Sequence, residues 1–103
     1  MDQGCKEASK WIQSKSNNLG ELDHAASKKL VGKLIRLGCE RLFVCKIDEY
    51  DNEQQNSGHV VVELPTDPTT RGRVFRELDR LASEMGFSGD LDDGQRYAYI
   101  ALD

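Results

Sequence analysis

The run Pro65-Thr66-Asp67-Pro68 constrains this chain more than any other four residues in it. Proline fixes its own backbone, lacks a donor and disfavours helix in the residue before it. A strand running into Pro65 therefore has to stop there, and a helix can begin only afterwards. Asp67 is placed to cap that helix and Pro68 to open it. Before the run, residues 58–64 carry Val60-Val61-Val62 and read as a strand. After it, Val74, Phe75, Leu78, Leu81, Ala82 and Met85 fall on one helical face, with Arg73, Glu77, Arg80 and Glu84 as a charge ladder on another. Strand and helix must then sit against each other, because 103 residues hold one modest core and no more.

The remaining elements follow from the same kinds of signal. Ala8, Trp11, Ile12 and Lys15 recur at helical spacing and predict a short helix over residues 5–16, too short to stand without docking its Trp11 and Ile12 face. Asp23 and Gly38 bracket a second helix whose apolar stripe runs through Ala26, Leu30, Leu34 and Leu37, with Lys28, Lys29, Lys33 and Arg36 on the wet side. Gly32 in its middle predicts close packing against a sheet. Residues 41–50 read as a strand that pairs with 58–64 across a long polar loop, 51–57. Asp92-Asp93-Gly94 is a turn signature, and residues 95–102 alternate as a last strand.

The order is α-α-β-β-α-β. It predicts a small α+β two-layer sandwich, a three-stranded antiparallel sheet with helices packed on one face. That topology resembles a ferredoxin-like unit lacking its first strand, an analogy of fold that carries no function. One domain is expected, residues 1–20 forming a short N-terminal helix and loop and residues 21–103 the main core.

Side chains alternate along a strand, so the buried face is the more apolar parity. This selects Val60, Val62 and Leu64 in the second strand and Ala98, Ile100 and Leu102 in the last. It selects Phe43, Cys45 and Ile47, less decisively, in the first. The opposite face then presents Leu42, Val44, His59, Val61, Tyr97 and Tyr99. That set is too apolar for a solvated surface, so a cover is expected: helix one, a second copy, or another partner.

Chemistry-bearing motifs are sparse. His24 and His59 are the two neutral-pH acid/base groups, and neither has a catalytic signature around it. Cys39 and Cys45 lack zinc spacing, and Asp90, Asp92 and Asp93 miss the later glutamate of a calcium loop, so no metal is expected. No glycine pattern cradles a nucleotide, and no cofactor is implied. Thr69, Thr70, Arg71 and Arg73 at the start of the third helix are a candidate anion site.

Charge divides along the chain. Residues 1–47 hold nine Lys or Arg against five Asp or Glu, residues 48–103 hold five against thirteen, and the whole carries −4 with a pI near 5.1. An acidic protein without an RNA-recognition consensus is not expected to bind nucleic acid. No apolar run is long enough for a membrane span, and the first residues lack a secretory pattern, so a cytoplasmic protein is expected. Three cysteines without a C-x-x-C pair fit reduced thiols, Cys5 being the more exposed.

No stretch carries a resemblance to a known family. The reading that results is a small non-enzymatic protein-interaction or regulatory module, acting through the second sheet face with a protein partner or as a homodimer. The alternative is a small-ligand-binding domain or minor enzyme with a pocket near His59, Tyr97 and Tyr99. Single-stranded nucleic acid binding stands behind both.

Overall fold

The structure, a computed structural model, describes residues 5–14, 17–49, 55–86 and 91–102. Its elements are β1 (Lys6–Glu7), α1 (Ala8–Trp11), β2 (Asn18–Leu19), α2 (His24–Leu37), β3 (Arg41–Cys45), β4 (Asp48–Glu49), β5 (Gln55–Ser57), β6 (His59–Glu63), α3 (Pro68–Glu84) and β7 (Tyr97–Ala101). The main sheet has the order β1-β3-β6-β7 with every pair antiparallel. A small second sheet, β2-β5-β4, pairs β2 parallel to β5 and β4 antiparallel to it.

The two long helices start and stop where their chemistry says. Asp23 accepts from Ala26 N at 2.7 Å, and Gly38 closes α2 in the left-handed region at φ 110°. Asp67 accepts from Thr70 N at 2.8 Å, and Pro68 stands in the first turn of α3. Both helices lie on one face of the main sheet. There Leu30, Val31 and Leu34 of α2 and Val74, Phe75, Leu78 and Leu81 of α3 join the core with Leu42, Val44, Val60, Val62, Ala98 and Ile100. Burying such a side chain stabilises the fold by about 1.5–3 kcal/mol.

The sheet has four strands rather than the expected three. The fourth is β1, built from residues expected to begin a helix. Lys6 pairs with Val44 and Glu7 with Phe43, and Cys5, next in that register, is joined to Cys45 by a disulfide. Strand pairing and the bridge thus take residues 5–7, and α1 shrinks to a single turn whose N-cap, Glu7, makes no side-chain capping bond. Its docking face is as expected: Ala8, Trp11 and Ile12 are buried in the core, on the helix side of the sheet.

The parity of β3 is the reverse of the expected one. Residues directly across an antiparallel pair share a face. Leu42 lies opposite Val62, and Val44 opposite Val60, so Leu42 and Val44 face the helices and are fully buried. Phe43 and Cys45 take the outer face. Counting apolar residues failed here because the run was read too far. The strand ends at Cys45, and Lys46 turns the chain at φ 51°, so neither Lys46 nor Ile47 belongs to the alternation.

Two smaller expectations also change. Gly32 is not pressed against the sheet, since a Cβ there would meet only the Arg36 guanidinium at 3.5 Å. Of the loop 51–57, residues 51–54 lie outside the described residues, and 55–57 form β5, the middle strand of the small sheet. Ser27, fully buried, ties that sheet to α2: its hydroxyl accepts from Leu19 N at 2.8 Å and donates to Asp23 O at 2.7 Å.

Candidate functional site

The outer face of the main sheet is organised in three cross-strand rows. The first is Arg41, Glu63 and Tyr97; the second Glu7, Phe43, Val61 and Tyr99; the third Cys45, His59 and Ala101, with Cys5 bonded to Cys45. None of the three helices among the described residues packs on this side.

The first row is a charged clamp. Glu63 is buried at 8% exposure and flanked by two arginines: Arg41 Nη2 donates to its Oε2 at 2.9 Å, and Arg96 Nη2 stands 3.7 Å from Oε1. The same arginines lie over the neighbouring rings, Arg41 at 5.5 Å from the centre of Phe43 and Arg96 at 5.4 Å from that of Tyr97. The second row is apolar at its centre: Val61 is only 6% exposed between Phe43 and Tyr99, and Tyr99 is 68% exposed.

Of the residues singled out in the sequence, His59, Val61, Tyr97 and Tyr99 do share this face, whereas Leu42 and Val44 belong to the core. Phe43 and Arg41 take their places, a substitution that follows from the register of β3. His59 and Tyr99 line one hollow of about 290 Å³ together with Cys45 and Ala101. Tyr97 is not part of it, since its row lies two residue pairs further along β6. The three side chains expected to converge are therefore a pair and an outlier.

The candidate anion site at the start of α3 is taken up by the protein's own carboxylates. Asp67 accepts from both the backbone N and the hydroxyl of Thr70, each at 2.8 Å, and these bonds hold its carboxyl below the usual range. Arg71 is committed to Asp92, at 2.9 Å, and to the carbonyl of Gln95 at 2.7 Å, and lies over the Phe75 ring. Thr69 and Arg73 sit on the solvent side of the same turn. Arg71 is thus a tie between α3 and the segment entering β7. Asp92 is consumed by this tie, Asp90 lies outside the described residues, and no cluster fit for a metal ion occurs among the described residues.

The basic stripe of α2 points away from the outer face, because α2 covers the opposite side of the sheet; Lys33 within it pairs with Glu77 at 3.0 Å. Lysine and tyrosine are consequently separated by the thickness of the domain. His24 is a capping neighbour whose Nδ1 lies 2.8 Å from Asn17 O.

Two features carried no signal in the sequence. One is the Cys5–Cys45 bridge, which replaces the expected reduced pair; only the register of β1 against β3 makes those two cysteines neighbours. Cys39 stays a thiol, and burial pushes it up to about 11. The other is Asn17, whose side chain amide donates to Trp11 O at 2.7 Å while its Oδ1 is buried without a partner. It lies beside a hollow of about 590 Å³ edged by Lys6, Lys10 and Trp11.

No protein-family model matches the chain, and neither the curated proteins nor the solved structures searched contain a match. No helix among the described residues is long and apolar enough to cross a membrane.

Proposed function

We propose that this protein works through protein contacts made by the outer face of its main sheet, and that the occupant of that face is a second copy of the chain. The observation that carries the reading is the Phe43-Val61-Tyr99 row, an apolar and aromatic strip on the side of the sheet that no helix covers. Helix α1, one of the covers considered from sequence, is spent on the core side. Charge allows a self-pairing, because the buried carboxylate of the face is already paired with Arg41 and Arg96, and Glu7 at the end of the strip is exposed and screened by water.

Three strands of five residues and the two-residue β1, about 4.8 Å apart, present roughly 300 Å². Stable interfaces bury about 800 Å² per partner. The association is therefore weak and concentration-dependent. Light scattering coupled to size exclusion, run over a concentration series, is expected to show a mass rising from 11.6 kDa toward twice that value, and Tyr99→Arg to keep it at 11.6 kDa. A constant monomer mass in the unmodified protein, up to millimolar concentration, overturns the homodimer.

A second reading has one observation in its favour, the hollow shared by His59 and Tyr99. It would hold a small planar ligand against the Tyr99 ring with His59 as the polar contact. Tyr97 has no part in that reading.

A further inference from the structure

Residues 5–14 are held to the domain by few ties. β1 contributes two register pairs at the edge of the sheet, and α1 is one uncapped turn. Strands and helices this short have no stability of their own. Beyond them the segment has the burial of Ala8, Trp11 and Ile12, the bonds from Trp11 Nε1 to Gln55 Oε1 at 2.8 Å and from the Asn17 amide to Trp11 O at 2.7 Å, and the covalent bond from Cys5 to Cys45. Cys5 is half-buried while Cys45 is buried within β3, so Cys5 is the more exposed residue of the bridge. An accessible disulfide at the root of a marginal segment is a point of control.

We propose that the Cys5–Cys45 disulfide is a redox latch: when a dithiol reduces it, residues 5–14 leave the edge of β3 and bare Trp11 and Ile12, while the rest of the domain stays folded. In the reduction a thiolate of the dithiol attacks Cys5 Sγ, the S–S bond breaks, and Cys45 departs as a thiolate that takes up a proton. The second thiol of the reductant then displaces Cys5, which leaves as a thiol. Two electrons and two protons pass to the protein, and the dithiol becomes its own disulfide. Reoxidation by a small-molecule disulfide runs the same exchange backwards. Cys39 is no competitor, being buried and held protonated. When residues 5–14 leave, β3 keeps its five register pairs with β6, while Gln55 and the Asn17 amide give up their bonds to Trp11 and turn to water. Cys5, Cys45 and Glu7 belong to the rows of the outer face, so the latch is tested at a dilution at which light scattering gives the monomer mass.

Trp11 is the single tryptophan and reports directly on the segment. The experiment uses the full chain, dithiothreitol and oxidised glutathione. Thiol titration of the denatured, non-reduced protein should find one thiol, that of Cys39; finding three overturns the proposal. Acrylamide quenching of Trp11 should rise at least threefold on reduction and return on reoxidation, with the far-UV circular dichroism nearly unchanged. Cys5→Ser should show the high quenching without any reductant, and Cys39→Ala should keep the full redox response. Quenching that ignores reduction overturns the latch. So does a collapse of the dichroism, which would make the bridge a staple of the whole fold.

Discussion

Two glycines show how differently the same residue type can be used. Gly20 lies at φ 52°, and a Cβ there would stand 2.3 Å from Leu102 O, closer than any carbon can approach a backbone oxygen. Gly32 has ordinary helical surroundings and open space. Gly32→Ala is therefore expected to raise stability by about 0.5–1 kcal/mol, through helix propensity and a less free unfolded chain. Gly20→Ala is expected to lower it by more than about 1 kcal/mol, since the substitution forces both a left-handed backbone and a clash. Urea midpoints of the two variants against the parent check both signs. The sequence announced Gly38 and Gly94 through their positions after a helix and in a turn, but it placed the close approach at Gly32, whereas the structure has it at Gly20. That distinction lies in what comes near them from distant parts of the chain.

Among the elements, α2 and α3 were the most legible, because caps, proline and a 3.6-residue period all speak locally and agree. They are joined by a charge cluster that the sequence showed only as a ladder. Glu77, buried at 9% exposure, accepts from Arg80 one turn on, and Lys33 reaches it from α2 at 3.0 Å. The Arg80 hydrogen bond, aided by Lys33, holds the Glu77 carboxyl below its ordinary 4.5 against the opposing effect of burial. A carboxyl depressed in the folded state stabilises above its unfolded value and loses that contribution as pH falls through the folded one. Stability is therefore expected to decline from about pH 4.5 downward, and Glu77→Gln to flatten part of that decline. The rest belongs to Asp67 and Asp92, which are depressed in the same direction by Thr70 and Arg71. Denaturant midpoints between pH 7 and pH 3 measure it. Strand β3 was the least legible long element, since Leu42-Phe43-Val44-Cys45 is apolar on both sides and only pairing with β6 chooses between them. β1 was invisible, two residues whose identity as a strand comes wholly from the distant partners Val44 and Phe43.

At the scale of the molecule, the layer order rests on that choice. If Leu42 faces the helices and Phe43 the outside, Leu42→Ala should cost about 2–4 kcal/mol. Phe43→Ala should cost less, because its ring is half-buried and leaves no enclosed cavity. Reversed costs would turn β3 over and with it the candidate face. The class α+β and the one-sided helix layer came from local punctuation along the chain. The fourth strand, the second sheet and the bridge came from contacts of long sequence separation, which no window of residues contains.

The place where Gly20 touches Leu102 has a bearing on how the chain reaches this state. Gly20 N donates to Ser57 O at 2.8 Å and Leu102 N to Gly58 O at 2.8 Å, so three stretches from the early, middle and late chain cross at one point. Helices α2 and α3 can form from neighbours alone, within microseconds. The crossing cannot, because it gathers residues 20, 57–58 and 102, and closures of such length are the slow ones. The meeting of these three stretches is thus expected to follow the helices, the amides of Gly20 and Leu102 gaining protection in pulsed hydrogen exchange after those of α2 and α3.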